Sequence, residues 1–310
     1  MNRCLKIAGS MLDLIGEIPL VRLNRIGRET GAEFLVKPEY LNPSGSMKDR
    51  VAARMIEDAE RAEHLRPGDR IAESSTGNTG AALAFVSAVK GYRFTAFVPG
   101  DVAEPCRLSI MQAYGAETVP FSPEGEFGAL AGRKACLDGE RRGEFWWARQ
   151  FANQSAVAAH GDTTAREILQ KTDGNLQAFV ASAGSGGTLL GVAQVLKQHD
   201  PRIHVMAVEP SGSPELMSDN ATVRTELSGG ILADLVESRL VDEVVTLDDE
   251  TAIQMANRLA REEGMFCGIS SGANVAASVL LADRLGPGCR IVTCLCDSRD
   301  RYFNREAYIV

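Results

Sequence analysis

Lys48 stands in the stretch NPSGSMKDR, residues 42–50, between small residues that open the backbone and a charged pair. A lysine becomes a nucleophile or a Schiff-base former where burial or its neighbours lower its pKa, and Ser44, Gly45 and Ser46 would let main chain approach a ligand closely. By itself a lysine near a helix start reads as a solvated charge, so the case rests on two further stretches. In AFVASAGSGGTLLGVAQVLKQ, residues 178–198, an apolar run passes through Gly184, Ser185, Gly186, Gly187 and Thr188 into an amphipathic helix. Several N–H groups are then left free at a positive helix end, which makes a phosphate cradle. The dinucleotide fingerprint fails because Leu189 stands where its third glycine belongs, and no Gly-Lys-Ser/Thr follows to make a P-loop. In ESSTGNTGAALA, residues 73–84, Ser75, Thr76, Asn78 and Thr79 crowd hydroxyl and amide groups beside Gly77 and Gly80. Helix capping accounts for one or two of these; the set as a whole suits an anionic carboxylate.

The elements that must position these groups alternate. Strand-like runs at residues 33–37, 92–98, 117–121, 178–182, 204–209 and 290–296 are separated by helical patterns, which predicts an α/β protein with parallel sheets and flanking helices. Residues 49–63 carry Val51, Ala52, Met55, Ile56, Ala59 and Ala62 on one helical face. Residues 251–264 repeat that pattern and stop at Gly264, an expected C-cap. No internal repeat or low-complexity linker marks a domain boundary.

Composition excludes several classes. The chain has 310 residues, 45% apolar and 24% charged, enough for a sizeable core. Lys and Arg number 33 against 41 Asp and Glu, giving a net charge of -8, and no basic run would neutralise a nucleic-acid backbone. No window is apolar enough for a membrane span, and the first residues do not read as a signal peptide; a cytoplasmic protein is expected. Cys4, Cys106, Cys136, Cys267, Cys289, Cys294 and Cys296 are scattered and read as reduced, mostly buried thiols, with the CLC spacing wrong for zinc. His64, His160, His199 and His204 show no metal-ligand spacing, and no metal is expected; His160, near Asp162 and Thr163, reads as structural, and Trp146 and Trp147 as core aromatics.

In order along the chain, LIGEIPLVRLNR (14–25), NPSGSMKDR, STGNTG, RQFAN, GSGGT, EEGMFCGISSGA and CDSRDRY resemble the motifs of the cysteine synthase and cystathionine β-synthase family, fold-type II enzymes that use pyridoxal 5'-phosphate (PLP). The resemblance covers nearly the whole chain. It implies a two-lobed, tryptophan synthase β-like fold, with residues 40–149 (and 1–12) as a smaller, closing lobe and residues 13–39 plus 150–310 as the larger one. It implies that Lys48 holds PLP as an internal aldimine, that the N–H groups of Gly184 to Thr188 bind its phosphate, that Asn78 bonds the ring hydroxyl oxygen and that Ser270 faces the pyridine nitrogen. Ser75, Thr76, Thr79 and Gln150 would clamp the substrate carboxylate, and freed Lys48 would take the α-proton. The implied reaction is β-replacement on an O-activated L-serine by way of an aminoacrylate. Small-molecule amino acids would be its substrates, and a homodimer is usual in the family.

Three stretches depart from the cysteine synthase pattern: AEPCRL (103–108), Thr163 to Ile168, and SGGILADL (228–235). They put the second-substrate pocket in question. Sulfide addition to O-acetyl- or O-phospho-L-serine, giving L-cysteine, is the first expectation. Local features around Pro105, KPEYLNPSGSMKDR and FWWARQFAN look closer to the branch that joins O-phosphoserine to an amino-acid amine, giving N-(2-amino-2-carboxyethyl)-L-glutamate, a siderophore precursor. A non-catalytic partner or sensor on the same fold is the third. Arg107 and Arg166 fall within the departures and are candidates to receive a phosphate or a second substrate's carboxylates.

Overall fold

The computed structural model describes residues 7–100, 105–124, 127–212, 216, 227 and 229–302; Cys4, Ala103, Glu104 and Ser228, named above, lie outside them. Its strands are β1 (Val21–Arg22), β2 (Glu33–Pro38), β3 (Arg70–Ser74), β4 (Arg93–Pro99), β5 (Glu117–Phe121), β6 (Trp146–Trp147), β7 (Ala178–Ser182), β8 (His204–Pro210), β9 (Glu243–Leu247) and β10 (Arg290–Leu295). Its helices are α1 (Lys48–Arg61), α2 (Asn78–Lys90), α3 (Pro105–Ala113), α4 (Ala131–Arg141), α5 (Ser155–Ala159), α6 (Arg166–Thr172), α7 (Gly187–His199), α8 (Ile231–Ser238), α9 (Asp249–Glu263) and α10 (Ile269–Leu285). A π-helical turn, His160–Ala165, joins α5 to α6. None of the described helices is long and apolar enough to cross a membrane.

Two sheets form. One runs β1-β2-β10-β7-β8-β9 and the other β5-β4-β3-β6, and every pairing is parallel except that of the short β1 with β2. This is the α/β architecture the sequence predicts. Strands covered on both faces read as continuous apolar runs, as β7 does with Ala178 to Ala181 all buried. The expected strands appear within a residue or so of their predicted bounds, whereas β1, β3, β6 and β9 are additions. Helix α9 ends at Gly264, φ 70°, as its pattern requires. The described cysteines are all free, and only Cys106 is not buried. Trp147 is buried, 3% exposed, while Trp146 is half-buried.

What matters for function is where the strands end. In an open parallel sheet the loops leaving the carboxyl ends of the strands share one edge. β3 leads into the hydroxyl-rich loop and α2; β7 leads into the glycine loop and α7; β10 leads into Asp297. β7 and β10 are neighbours, so the glycine loop and Asp297 emerge side by side.

Candidate active site

The start of α1 is pinned to the end of β10. Met47 N donates to Cys296 O at 3.0 Å, Ser298 N donates to Gly45 O at 3.1 Å, and Ser46 pairs with Asp297 as an isolated antiparallel bridge. Gly45 makes the turn at φ 87°, and a Cβ there would lie 3.2 Å from a nitrogen of the Arg301 guanidinium. Asp49 closes the loop by accepting from Ser44 N at 2.6 Å and from the Ser44 hydroxyl. Lys48 is thereby delivered to the wall of a cleft of about 400 Å³. Burial lowers its pKa, against the opposing pull of Cys296 and Asp297.

Ser75, Thr76, Asn78, Thr79, Gln150 and Arg107 line the same cleft, so with Lys48 the structure brings half of the sequence candidates together there, whereas Gly184 to Thr188 and Ser270 are not part of its lining. Ser75 Oγ also accepts from Gly77 N at 3.3 Å and Gly80 N at 3.2 Å, which is the capping share anticipated for this loop. Gln150 is tied to the end of β3, next to that loop. Its N–H donates to Glu73 Oε2 at 2.9 Å and its Nε2 to Ser74 O at 3.2 Å, following a left-handed turn at Arg149, φ 55°. Buried Glu73 also accepts from Ser74 N and Trp147 Nε1, and burial raises its pKa against those bonds.

Asn78 is fixed on both sides. Its Nδ2 donates to Asp297 Oδ2 at 2.7 Å, and its Oδ1 accepts from Arg301 Nη1 at 2.6 Å. Tyr302 OH donates to the same Asp297 oxygen at 2.7 Å. Burial raises the Asp297 pKa, opposed by the Asn78 and Tyr302 hydrogen bonds and by Arg301 and Arg107. Arg107 lies over the Tyr302 ring at 4.6 Å, and Arg133 over the Phe151 ring at 3.8 Å; both arginines line the cleft. Sequence reasoning gave no role to Asp297, Arg301, Tyr302, Arg133 or Glu73. The stretch CDSRDRY was legible as a motif, and Arg133 carried no signal.

Arg166 is not part of this constellation. Its side chain is 71% exposed and 3.7 Å from Asp162, outside the cleft, because α6 turns Glu167, Ile168 and Thr172 inward and leaves Arg166 on the solvent side. Ser270 is half-buried at the second position of α10. The first turn of that helix is tied to the end of β10 by Cys296 N donating to Ser271 Oγ at 2.9 Å and Gly268 N donating to Asp297 O at 3.0 Å.

The glycine loop leaves the N-terminus of α7 open. Gly186, φ 84°, turns the chain into α7, whose first N–H groups have no intrahelical acceptor. Beyond Gly184 there is open space, since an added Cβ would meet nothing within 4 Å.

A family model for the pyridoxal-phosphate-dependent enzymes matches residues 11–297. The chain belongs to that family. Over 306 residues and 98% of both chains the enzyme is 38% identical to a cysteine synthase of Staphylococcus aureus. It is 39% identical to the cystathionine β-synthase of Oryctolagus cuniculus across 97% of its own length and 56% of that longer protein. A crystal structure of an O-ureido-L-serine synthase superposes with a TM-score of 0.87 at 37% identity, covering 98% of this chain and 96% of that one. The enzyme therefore uses pyridoxal 5'-phosphate and performs β-replacement on serine derivatives. Its residues fit the cofactor: a half-buried lysine on the cleft wall, a fixed amide beside it, and an open helix N-terminus of the kind that takes a phosphate.

Proposed function

We propose that the enzyme joins sulfide to the β-carbon of an O-activated L-serine, releasing acetate or phosphate and giving L-cysteine. The observation that carries this reading is the size of the cleft. About 400 Å³ is near the lower end of small-ligand pockets, so beside the reactive end of a cofactor and one amino acid it leaves space for a small nucleophile. The likeness to cysteine synthase over 98% of both chains supports it.

In this reading the N–H groups of Gly184 to Thr188 hold the cofactor phosphate, Asn78 donates its second amide hydrogen to the ring oxygen, and the Ser270 hydroxyl faces the ring nitrogen. Bound there, the cofactor supplies an electron sink that eases removal of the α-proton and departure of the β-substituent. Ser75, Thr76, Thr79 and Gln150 grip the substrate carboxylate and so fix the direction of the α-proton. Lys48 Nζ accepts that proton; the burial that lowers its pKa enlarges the free-amine fraction near neutral pH. A neutral hydroxyl opposite the ring nitrogen makes a weaker sink than a carboxylate, which suits loss of a good leaving group.

A second reading, in which O-phosphoserine meets an amino-acid amine, is favoured by one observation: the guanidinium groups of Arg107 and Arg133 both line the cleft and are braced on aromatic rings. Product analysis after mixing with O-acetyl-L-serine or O-phospho-L-serine, each with sulfide or L-glutamate, separates the two. L-cysteine from either donor supports the first reading. Product only from O-phosphoserine and glutamate overturns it. Arg107→Ala should lower kcat/KM for O-phosphoserine about tenfold, the worth of one charge-assisted bond, and leave O-acetylserine nearly unchanged.

A further inference from the structure

The π-helical turn between α5 and α6 places a buried imidazole against the glycine loop. His160, at 0% exposure, makes a 3.0 Å contact from Nδ1 to Thr164 Oγ1 and a 3.2 Å contact from Nε2 to Thr188 Oγ1. The approach is made possible by glycines: a Cβ on Gly191 would come within 2.2 Å of Val157 O, and one on Gly161 within 3.3 Å of Gly191 O. π-helical turns recur at functional sites, where one extra residue re-aims a side chain.

We propose that His160 is a positioning residue for the Thr188 hydroxyl: its Nε2–H donates to Thr188 Oγ1, so that the Thr188 proton points into the cradle at the start of α7. The argument is a count of protons. A neutral imidazole has one N–H for two hydroxyl partners. Burial, and then the charges of Lys48 and Arg50, push the His160 pKa well down, so the ring is neutral. If Nδ1 carried the hydrogen, Thr188 would donate back to the ring and present only lone pairs to an anion. Thr164, fully buried, would then hold a hydroxyl hydrogen for which no acceptor appears among the described residues. With the hydrogen on Nε2, Thr164 donates to Nδ1, Nε2 donates to Thr188, and Thr188 donates to a phosphate oxygen. Every proton then has an acceptor. The inference rests on the reading that this cradle takes the cofactor phosphate.

Nitrogen NMR of the holoenzyme labelled on its four histidines, with His160 assigned by its loss in His160→Gln, tests the tautomer directly. A protonated Nε2 and a bare Nδ1 are expected; the reverse overturns the proposal. Equilibrium dialysis of pyridoxal phosphate tests the consequence. Thr188→Val and His160→Leu should each weaken binding roughly tenfold. His160→Gln, which keeps a donor toward Thr188 and an acceptor toward Thr164, should stay within about threefold of wild type. On the Thr188→Val background, His160→Leu should cost nothing more. A full extra loss in the double variant makes His160 a packing residue and ends the proposal, whereas an unchanged affinity in Thr188→Val overturns the cradle reading itself. Should His160→Leu fail to fold, Thr164→Val replaces it: removal of that donor should raise the Nδ1–H population, and an unchanged tautomer counts against the proposal.

Discussion

Two lysines sit near the start of α1, and their surroundings differ in kind. Lys37, fully buried on β2, donates to Glu167 and, at 2.6 Å, to the carbonyl of Ile18. Glu167 also accepts from Arg50 Nη1 at 2.7 Å, and Arg50 Nε donates to Glu39 at 2.8 Å. Each charge in that cluster has an opposite charge in contact. Lys48 has no ion pair among the described residues and faces a cleft, where burial lowers its pKa. One helix thus carries Arg50 into a closed ionic knot and Lys48, two residues before it, into an open site. The lesson is that exposure to a cleft and the lack of a charged partner together separate a reactive amine from a structural cation.

The sharpest way to break this comparison is to remove each group and read two properties. Lys48→Ala should lower the β-replacement rate by about 10³-fold or more while shifting the melting temperature little, because no ion pair is lost. A variant that kept a tenth of wild-type activity would remove Lys48 from the chemistry. Glu167→Gln should do the opposite, costing on the order of 3 kcal/mol in urea unfolding by leaving Arg50 and Lys37 undercompensated. Rates at temperatures where that variant remains folded should change by only a few-fold.

Acid titration sharpens the same contrast. Burial would raise the Glu167 pKa, but the hydrogen bonds and charges of Arg50 and Lys37 outweigh it and hold the group at about 2, against an ordinary value of 4.5. The unfolded chain therefore takes up the proton first. Glu167's contribution is complete above about 4.5 and is lost as pH falls toward 2. Asp49 has the reverse sign. Burial raises it from an ordinary 3.8 to about 6, against its Ser44 hydrogen bonds, so its contribution declines as pH rises through that window. Urea midpoints measured from pH 2 to 7 should show both limbs in the wild type, and only the second in Glu167→Gln. Persistence of the acid limb in the variant would assign it to other carboxylates.

How much of this was legible in the sequence depends on range. Lys48, the hydroxyl-rich loop and the glycine loop each announce themselves within a dozen residues, because turn chemistry and helix starts are local. The partners that fix them are not local: Asn78 meets Asp297 across 219 positions and Arg301 across 223, a relation no spacing rule can see. β3 was missed because Glu73 interrupts its apolar run; three hydrogen-bond donors make that carboxylate tolerable in the interior. β1 and β6 have two residues each, too few to show a period. Arg133 was missed for a different reason, since helix phase alone does not reveal which face of α4 borders a cleft.

Arg166 gives the smallest expected effect and a clean control for that last point. A local departure from a family pattern marks a position as different without saying where its side chain goes. Arg166 directly precedes the inward-facing Glu167, so the helix turns it to solvent, and its 3.7 Å contact with Asp162 competes with a 2.8 Å bond from Arg54 to the same residue. Exposed pairs of this kind contribute between nothing and about 1 kcal/mol. Arg166→Ala should therefore change kcat/KM by less than about twofold with either donor, while Arg107→Ala distinguishes them. A selective loss with O-phosphoserine in the Arg166 variant would mean that the substrate path extends beyond the cleft wall to α6, and the contrast between the closed knot and the open site would have to be redrawn to include it.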